Sequence, residues 1–128
     1  MRIEILSTEG YGLEARVRVE GQVLVVMDDF SAIPTETIDH DSPEIGYLTM
    51  EGGTWEERFS GNPSKLKKLV STGGWSYDGY GQIVSIRPVI ADFGLIKLDI
   101  GDFTNDERCV GAWIRERIER LELTFRSF

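Results

Sequence analysis

Leu13-Glu-Ala-Arg-Val-Arg-Val-Glu-Gly-Gln-Val-Leu-Val-Val-Met27 decides the fold class. Its first half alternates cleanly. Leu13, Ala15, Val17 and Val19 fall on one side, and Glu14, Arg16, Arg18 and Glu20 on the other. A period of two marks a strand with one buried and one wet face. The second half, Val23 to Met27, is a continuous apolar run rich in β-branched residues. Gly21-Gln22 separates the two. A Gly-X link between two β runs predicts a hairpin with a type II′ turn, Gly21 supplying the positive φ.

Further strands are expected around this hairpin. Ile3 to Leu6 precedes it, and Ile45 to Met50 follows it, closed by Glu51-Gly52-Gly53. The polar span from Ser31 to Pro43 reads as a long excursion. Thr54 to Phe59 fits either a strand or a turn of helix. Asn62 to Val70 predicts a short helix: Asn62 can cap it, Pro63 suits its first position, and Leu66, Leu69 and Val70 form one apolar stripe. Gly73 to Gly81, GGWSYDGYG, then reads as a connecting loop whose aromatics anchor on the core. Gln82 to Asp99 predicts a second hairpin turning at Asp92-Phe93-Gly94, with Pro88 at an edge or bulge.

The span 105–120 supports two assignments. Thr104-Asn-Asp-Glu107 has the form of a capping box. Cys109, Val110, Trp113, Ile114, Ile118 and Leu121 fit one helical face, with Glu116 and Arg120 as an i, i+4 pair. A long closing strand from Ala112 to Phe125 fits as well. The fold class expected is mainly β: a small antiparallel barrel or sandwich, the OB form included, with one or two short helices.

The 128 residues suit a single globular domain spanning 1–128, and the 41% hydrophobic content suffices for a core. Cys109 is the only cysteine, so an intrachain disulfide framework is excluded. No stretch has the length or polarity of a signal peptide or membrane span, so a soluble, cytoplasmic protein is expected.

The formal charge is −8 and is unevenly spread. Between Arg18 and Arg58 there are ten acids and no Lys or Arg, so this tract carries −10 and the remainder +2. Such a balance disfavours nucleic acid, whose binding depends on neutralising phosphates. It suits either a solvated acidic surface or a face for a basic partner.

Chemical motifs are sparse. His40, the only histidine, lies between Asp39 and Asp41, but neighbours on a strand point apart and no further ligand motif accompanies them. Asp28-Asp29 at a strand end could hold a cation, or simply favour a turn. Asp99 to Glu107 is rich in oxygen ligands without EF-hand spacing, and the glycines of 73–81 match no phosphate loop. No metal or cofactor is expected.

The function expected is a non-catalytic binding module. It would meet a basic protein partner through the acidic 19–57 tract, with Asp28, Asp29, Glu36, Asp39, Asp41 and Glu44 as candidate contacts. The alternative is a β-barrel that stacks a small ligand or a single strand on Trp55, Trp75, Tyr77 and Tyr80. A single strand would further require Lys65, Lys67, Lys68 and the C-terminal arginines to line one groove. A metal enzyme built on Asp28, Asp29 and His40 has the least support.

Overall fold

The computed structural model describes residues 2–28, 37–39, 45–48 and 54–123. The hairpin forms from β2 (Glu14–Val19) and β3 (Gln22–Asp28), with Val17 opposite Leu24 and Val19 opposite Gln22. Ala15, Val17 and Val19 are buried as the alternation requires, while Leu13 stays half exposed before the strand begins. The turn is Glu20-Gly21, one residue earlier than expected. Both residues have positive φ, 49° and 80°, which is type I′ rather than II′. Pairing Val19 with Gln22 fixes this, because it sets Leu24 and Val26 inward beside Val17 and Ala15.

β1 (Arg2–Thr8) pairs antiparallel with β2, and β4 (Thr37–Asp39) with β1. On the far side, β11 (Arg120–Leu123) runs parallel to β3 and antiparallel to β5 (Ile45–Leu48). The first sheet is therefore β4-β1-β2-β3-β11-β5. It is not wholly antiparallel, as the sequence had suggested; the β3–β11 pairing is the exception.

The second sheet is organised by β7 (Ser76–Ser85), the longest described strand. β10 (Trp113–Ile118) covers one edge of it. β6 (Lys68–Gly73) and β8 (Ile90–Asp92) share the other edge end to end, and β9 (Lys97–Asp99) extends the sheet beyond β8. The second hairpin is thus a three-stranded meander. Its first turn contains a cis Arg87–Pro88 bond, and its second holds Phe93 in the core.

Three local expectations give way here. Residues 68–73 are strand, not helix. Asn62 does not cap a helix; its side chain exchanges two hydrogen bonds with the backbone of Leu66, at 2.8 and 2.9 Å. Ladder bonding to β7 outweighs the local helical pattern, and Lys65 at φ 54° interrupts any helix. The 73–81 stretch is a tight turn followed by the first half of β7, not a connector. The 105–120 span holds one 3₁₀ turn, Glu107–Cys109, and then β10. Asp106 caps that turn by accepting from Arg108 N–H, so the capping box does not form. The closing strand is present but bent, passing from the second sheet as β10 into the first as β11. One α-helix is described, α1 (Trp55–Ser60), capped by Thr54.

Both sheets curl around one core into a half-barrel. Ile3, Ile5, Val17, Leu24 and Val26 from the first meet Ile83, Phe93, Leu98 and Ile114 from the second. Among the described residues no ladder closes the barrel, so neither a closed barrel nor an OB arrangement is established. No described helix is long and apolar enough to cross a membrane.

Tyr77 joins the two sheets where a ladder is missing. Its hydroxyl donates to Val25 O at 3.1 Å and accepts from Val25 N–H at 2.7 Å. It supplies Val25 with the pair of bonds a neighbouring strand would give; β11 reaches only as far as Met27 along this edge. Tyr77→Phe should cost about 1–3 kcal/mol in urea unfolding, because both backbone groups lose their partner. Burial pushes the phenol up from its ordinary value of 10.0, against the opposing bond from Val25. The folded state therefore favours the protonated phenol. That contribution is intact below the unfolded pKa and is lost as pH rises through the folded one. Wild type should lose more stability than Tyr77→Phe between about pH 9 and about pH 11; parallel losses would refute the assignment.

Candidate functional site

Alternation along β7 sets its chemistry. Tyr77, Gly79, Gly81 and Ile83 point inward, and Ser76, Asp78, Tyr80 and Gln82 point outward. The same rule turns Trp113, Arg115 and Arg117 outward on β10, and Lys68 and Val70 outward on β6. Register then stacks these side chains into rows. Lys68, Tyr80 and Arg115 lie side by side across three strands, and Val70, Asp78 and Arg117 form the next row.

The chain between α1 and β6 walls one side of this face. Gly61 packs so tightly on Arg115 that an added Cβ would stand 2.6 Å from the arginine Cβ. Asn62, buried, directs its Nδ2 to Gly81 O at 3.4 Å, in the gap between β6 and β8. Pro63, Ser64 and Leu66 then face Tyr80, Lys68 and Val70 across a cleft of about 310 Å³. A second cleft of about 320 Å³, which shares no lining residue with the first, is bordered by Thr72, Asp78, Arg115, Arg117 and Glu119.

The charges here are only partly compensated. Arg115 Nη2 donates to Asp78 at 3.0 Å, a bond that raises the already high arginine pKa. Arg115 Nε is buried without a hydrogen-bond partner. Lys68 Nζ stands 5.9 Å from the centre of the Tyr80 ring, within cation–π range. Lys67 reaches Asp92 at 3.1 Å and lies 5.8 Å from the Trp113 ring. Contacts with Gly94 N–H and Lys67 hold the Asp92 carboxyl below its ordinary range, although burial works the other way.

The residues singled out in sequence fall in different places. Tyr80 lines the first cleft. Tyr77 is buried between the sheets, and Trp75 is half-buried in the turn before β7. Trp55 is on α1, 53% exposed, and packs on Phe59 with ring centres 4.5 Å apart. The four aromatics therefore do not form one platform. Asp28 is fully buried, and Thr8 Oγ1 donates to its carboxylate at 2.5 Å. Asp39 ends β4 on the edge of the first sheet. Asp29, Glu36, His40, Asp41 and Glu44 lie outside the described residues. Among the described residues no three His, Cys, Asp or Glu side chains group as metal ligands would.

The sequence places Trp113 only on a helical face and names the C-terminal arginines only as a group, without singling out Arg115 or Arg117 as site residues. Their signal was the period of two in Trp113-Ile-Arg-Glu-Arg117, which the competing helical pattern obscured. No protein-family model, curated protein or solved structure matches this chain.

Proposed function

We propose that this chain is a binding module whose ligand side is the outer face of the β6-β7-β10 sheet. The supporting observation is the row Lys68–Tyr80–Arg115, an aromatic ring flanked by two cations, with Lys68 and Tyr80 lining the first cleft and Arg115 the second. A flat ligand ring can stack on Tyr80, and such stacking is worth about 1–3 kcal/mol on a protein aromatic. Titration with sugars, nucleosides, nucleotides and short oligonucleotides, followed by tryptophan fluorescence, tests this directly, because Trp113 shares the face. Tyr80→Ala should weaken a ring-bearing ligand by about tenfold or more. Silence across the whole panel, or an unchanged affinity in Tyr80→Ala, would count against it.

A second reading rests on the −10 carried by the 19–57 tract. There the partner is a basic protein surface, steered by long-range attraction. Asp28 is unsuited to testing it, since its carboxylate is buried against Thr8. Glu36→Lys with Glu44→Lys should instead slow association with a captured partner at low salt. On-rates that ignore both charge and salt would remove this reading.

A further inference from the structure

We infer that the two clefts of this face form one site for a nucleotide unit, the base on Tyr80 and the phosphate on Arg115 and Arg117. This rests on the outer face being the ligand side. Arg117 is exposed and has no ion-pair partner among the described residues. Its cross-strand neighbour Asp78 is engaged by Arg115 instead. Arg115 in turn uses Nη2 on Asp78, and its buried Nε has no partner. Arg117, with its donors free, and Arg115, through its partly exposed side chain but not its buried Nε, therefore border the second cleft, a geometry suited to the several acceptor oxygens of a phosphate.

Spacing connects this anion position to the ring position. Arg117 lies one row beyond Tyr80, and successive outward rows on a strand stand roughly 6.6–6.8 Å apart. A nucleobase and its own 5′-phosphate are separated by a comparable length. Lys68, on the opposite side of Tyr80, holds a cation over the ring and leaves the arginine end free for the phosphate.

Charge favours a free mononucleotide over a strand. Asp78 and Glu119 also border the second cleft and balance its two arginines, so a single phosphate would be held by directed guanidinium bonds rather than by net charge, while a chain of net charge −8 repels a polyanion. The base-plus-phosphate chemistry is shared by both sources, and separate arms distinguish them.

The experiment is amide-resolved NMR titration of the whole chain with adenosine 5′-monophosphate, adenosine, ribose 5-phosphate and a ten-residue oligoadenylate. The mononucleotide should shift Tyr80, Arg115 and Arg117 together and bind about tenfold more tightly than adenosine. Arg117→Ala should erase that advantage and leave adenosine affinity unchanged; its unaltered melting temperature shows that the fold is intact. An oligonucleotide binding more than tenfold tighter, with a steep salt dependence, assigns the same chemistry to a strand. Equal affinity for adenosine and its monophosphate, insensitive to Arg117→Ala, overturns the phosphate position while the stacking surface survives. If no ring-bearing probe shifts Tyr80, the ligand side itself is wrong.

Discussion

Gly81→Ala should destabilise the protein by about 3–4 kcal/mol, and no neighbouring substitution should rescue it. An alanine Cβ there would stand 2.4 Å from Asp92 O and 2.9 Å from Phe93 Cδ1. Asp92 is in β8, paired with Gln82 on one side and Lys97 on the other. Its carbonyl can retreat only by breaking that ladder. For a domain of this size the loss amounts to a fall in Tm of about 15 °C. Gly79→Ala makes a useful contrast. There the added Cβ meets only side chains, with Phe93 Cε1 at 2.7 Å and Ile118 Cδ1 at 3.2 Å. Phe93→Leu removes the ring edge, so Gly79→Ala with Phe93→Leu should be hardly less stable than Phe93→Leu alone. A coupling of about 1 kcal/mol or more between the two sites is expected in a double-mutant cycle. Ordinarily Ala suits a strand interior better than Gly by roughly 0.5–1 kcal/mol. A Gly81→Ala variant at or above wild-type stability would therefore show that the Asp92 backbone of β8 does not close on Gly81 as described.

These two glycines mark the boundary of what the sequence discloses. Their spacing rules out a phosphate loop, but their purpose depends on Phe93, far along the chain and brought over them by the β8–β9 turn. The 13–27 hairpin was legible because its charges alternate against its apolar residues, which fixes the face of every side chain. Its turn was misplaced by one residue, since the glycine rule alone cannot choose between Glu20-Gly21 and Gly21-Gln22; the cross-strand register does. The 62–70 segment failed for the converse reason. Asn62, Pro63 and the Leu66, Leu69, Val70 stripe satisfy local helix rules, yet only Leu69 of the three is buried. What settles that segment is a free edge on β7, and no local pattern reports it. The candidate site was legible in part. The sequence points to Tyr80, but of Lys65, Lys67 and Lys68 only Lys68 lines its cleft, and Arg115 and Arg117 border the second cleft instead. That Lys68 and Arg115 flank Tyr80, with Arg117 one row beyond, follows only from the β6-β7-β10 register.

Glu116→Ala should cost about 3–5 kcal/mol, the largest effect expected of a single charged residue here. Glu116 lies on the inward side of β10, among Ile114 and Ile118, with its side chain wholly buried. A helical assignment paired it with Arg120, but Arg120 bonds Glu122 instead. The true partner is Arg58 of α1, whose Nε and Nη2 grip the two carboxylate oxygens at 2.7 and 3.0 Å. The same guanidinium lies 4.0 Å from the centre of the Phe103 ring, beside Phe59 and Trp55. This pair anchors α1 to the sheet edge, and α1 leads directly into Gly61 against Arg115. Removing Glu116 leaves Arg58 nearly buried with no opposing charge, which is the expensive half of breaking such a pair. Removing both charges is different: Arg58→Met with Glu116→Leu should lie within about 1–2 kcal/mol of wild type, because two desolvation costs vanish with the bond. The helix would then be held by Trp55, Phe59 and Phe103 alone. Urea unfolding of the two single variants and the double variant separates these cases. If Glu116→Ala and the double variant lose equal stability, the pair contributes by packing alone and its charges do not anchor α1. If the double variant keeps its stability but shifts the amide of Arg115, the ion pair sets the position of the ligand face through Gly61 rather than the strength of the fold.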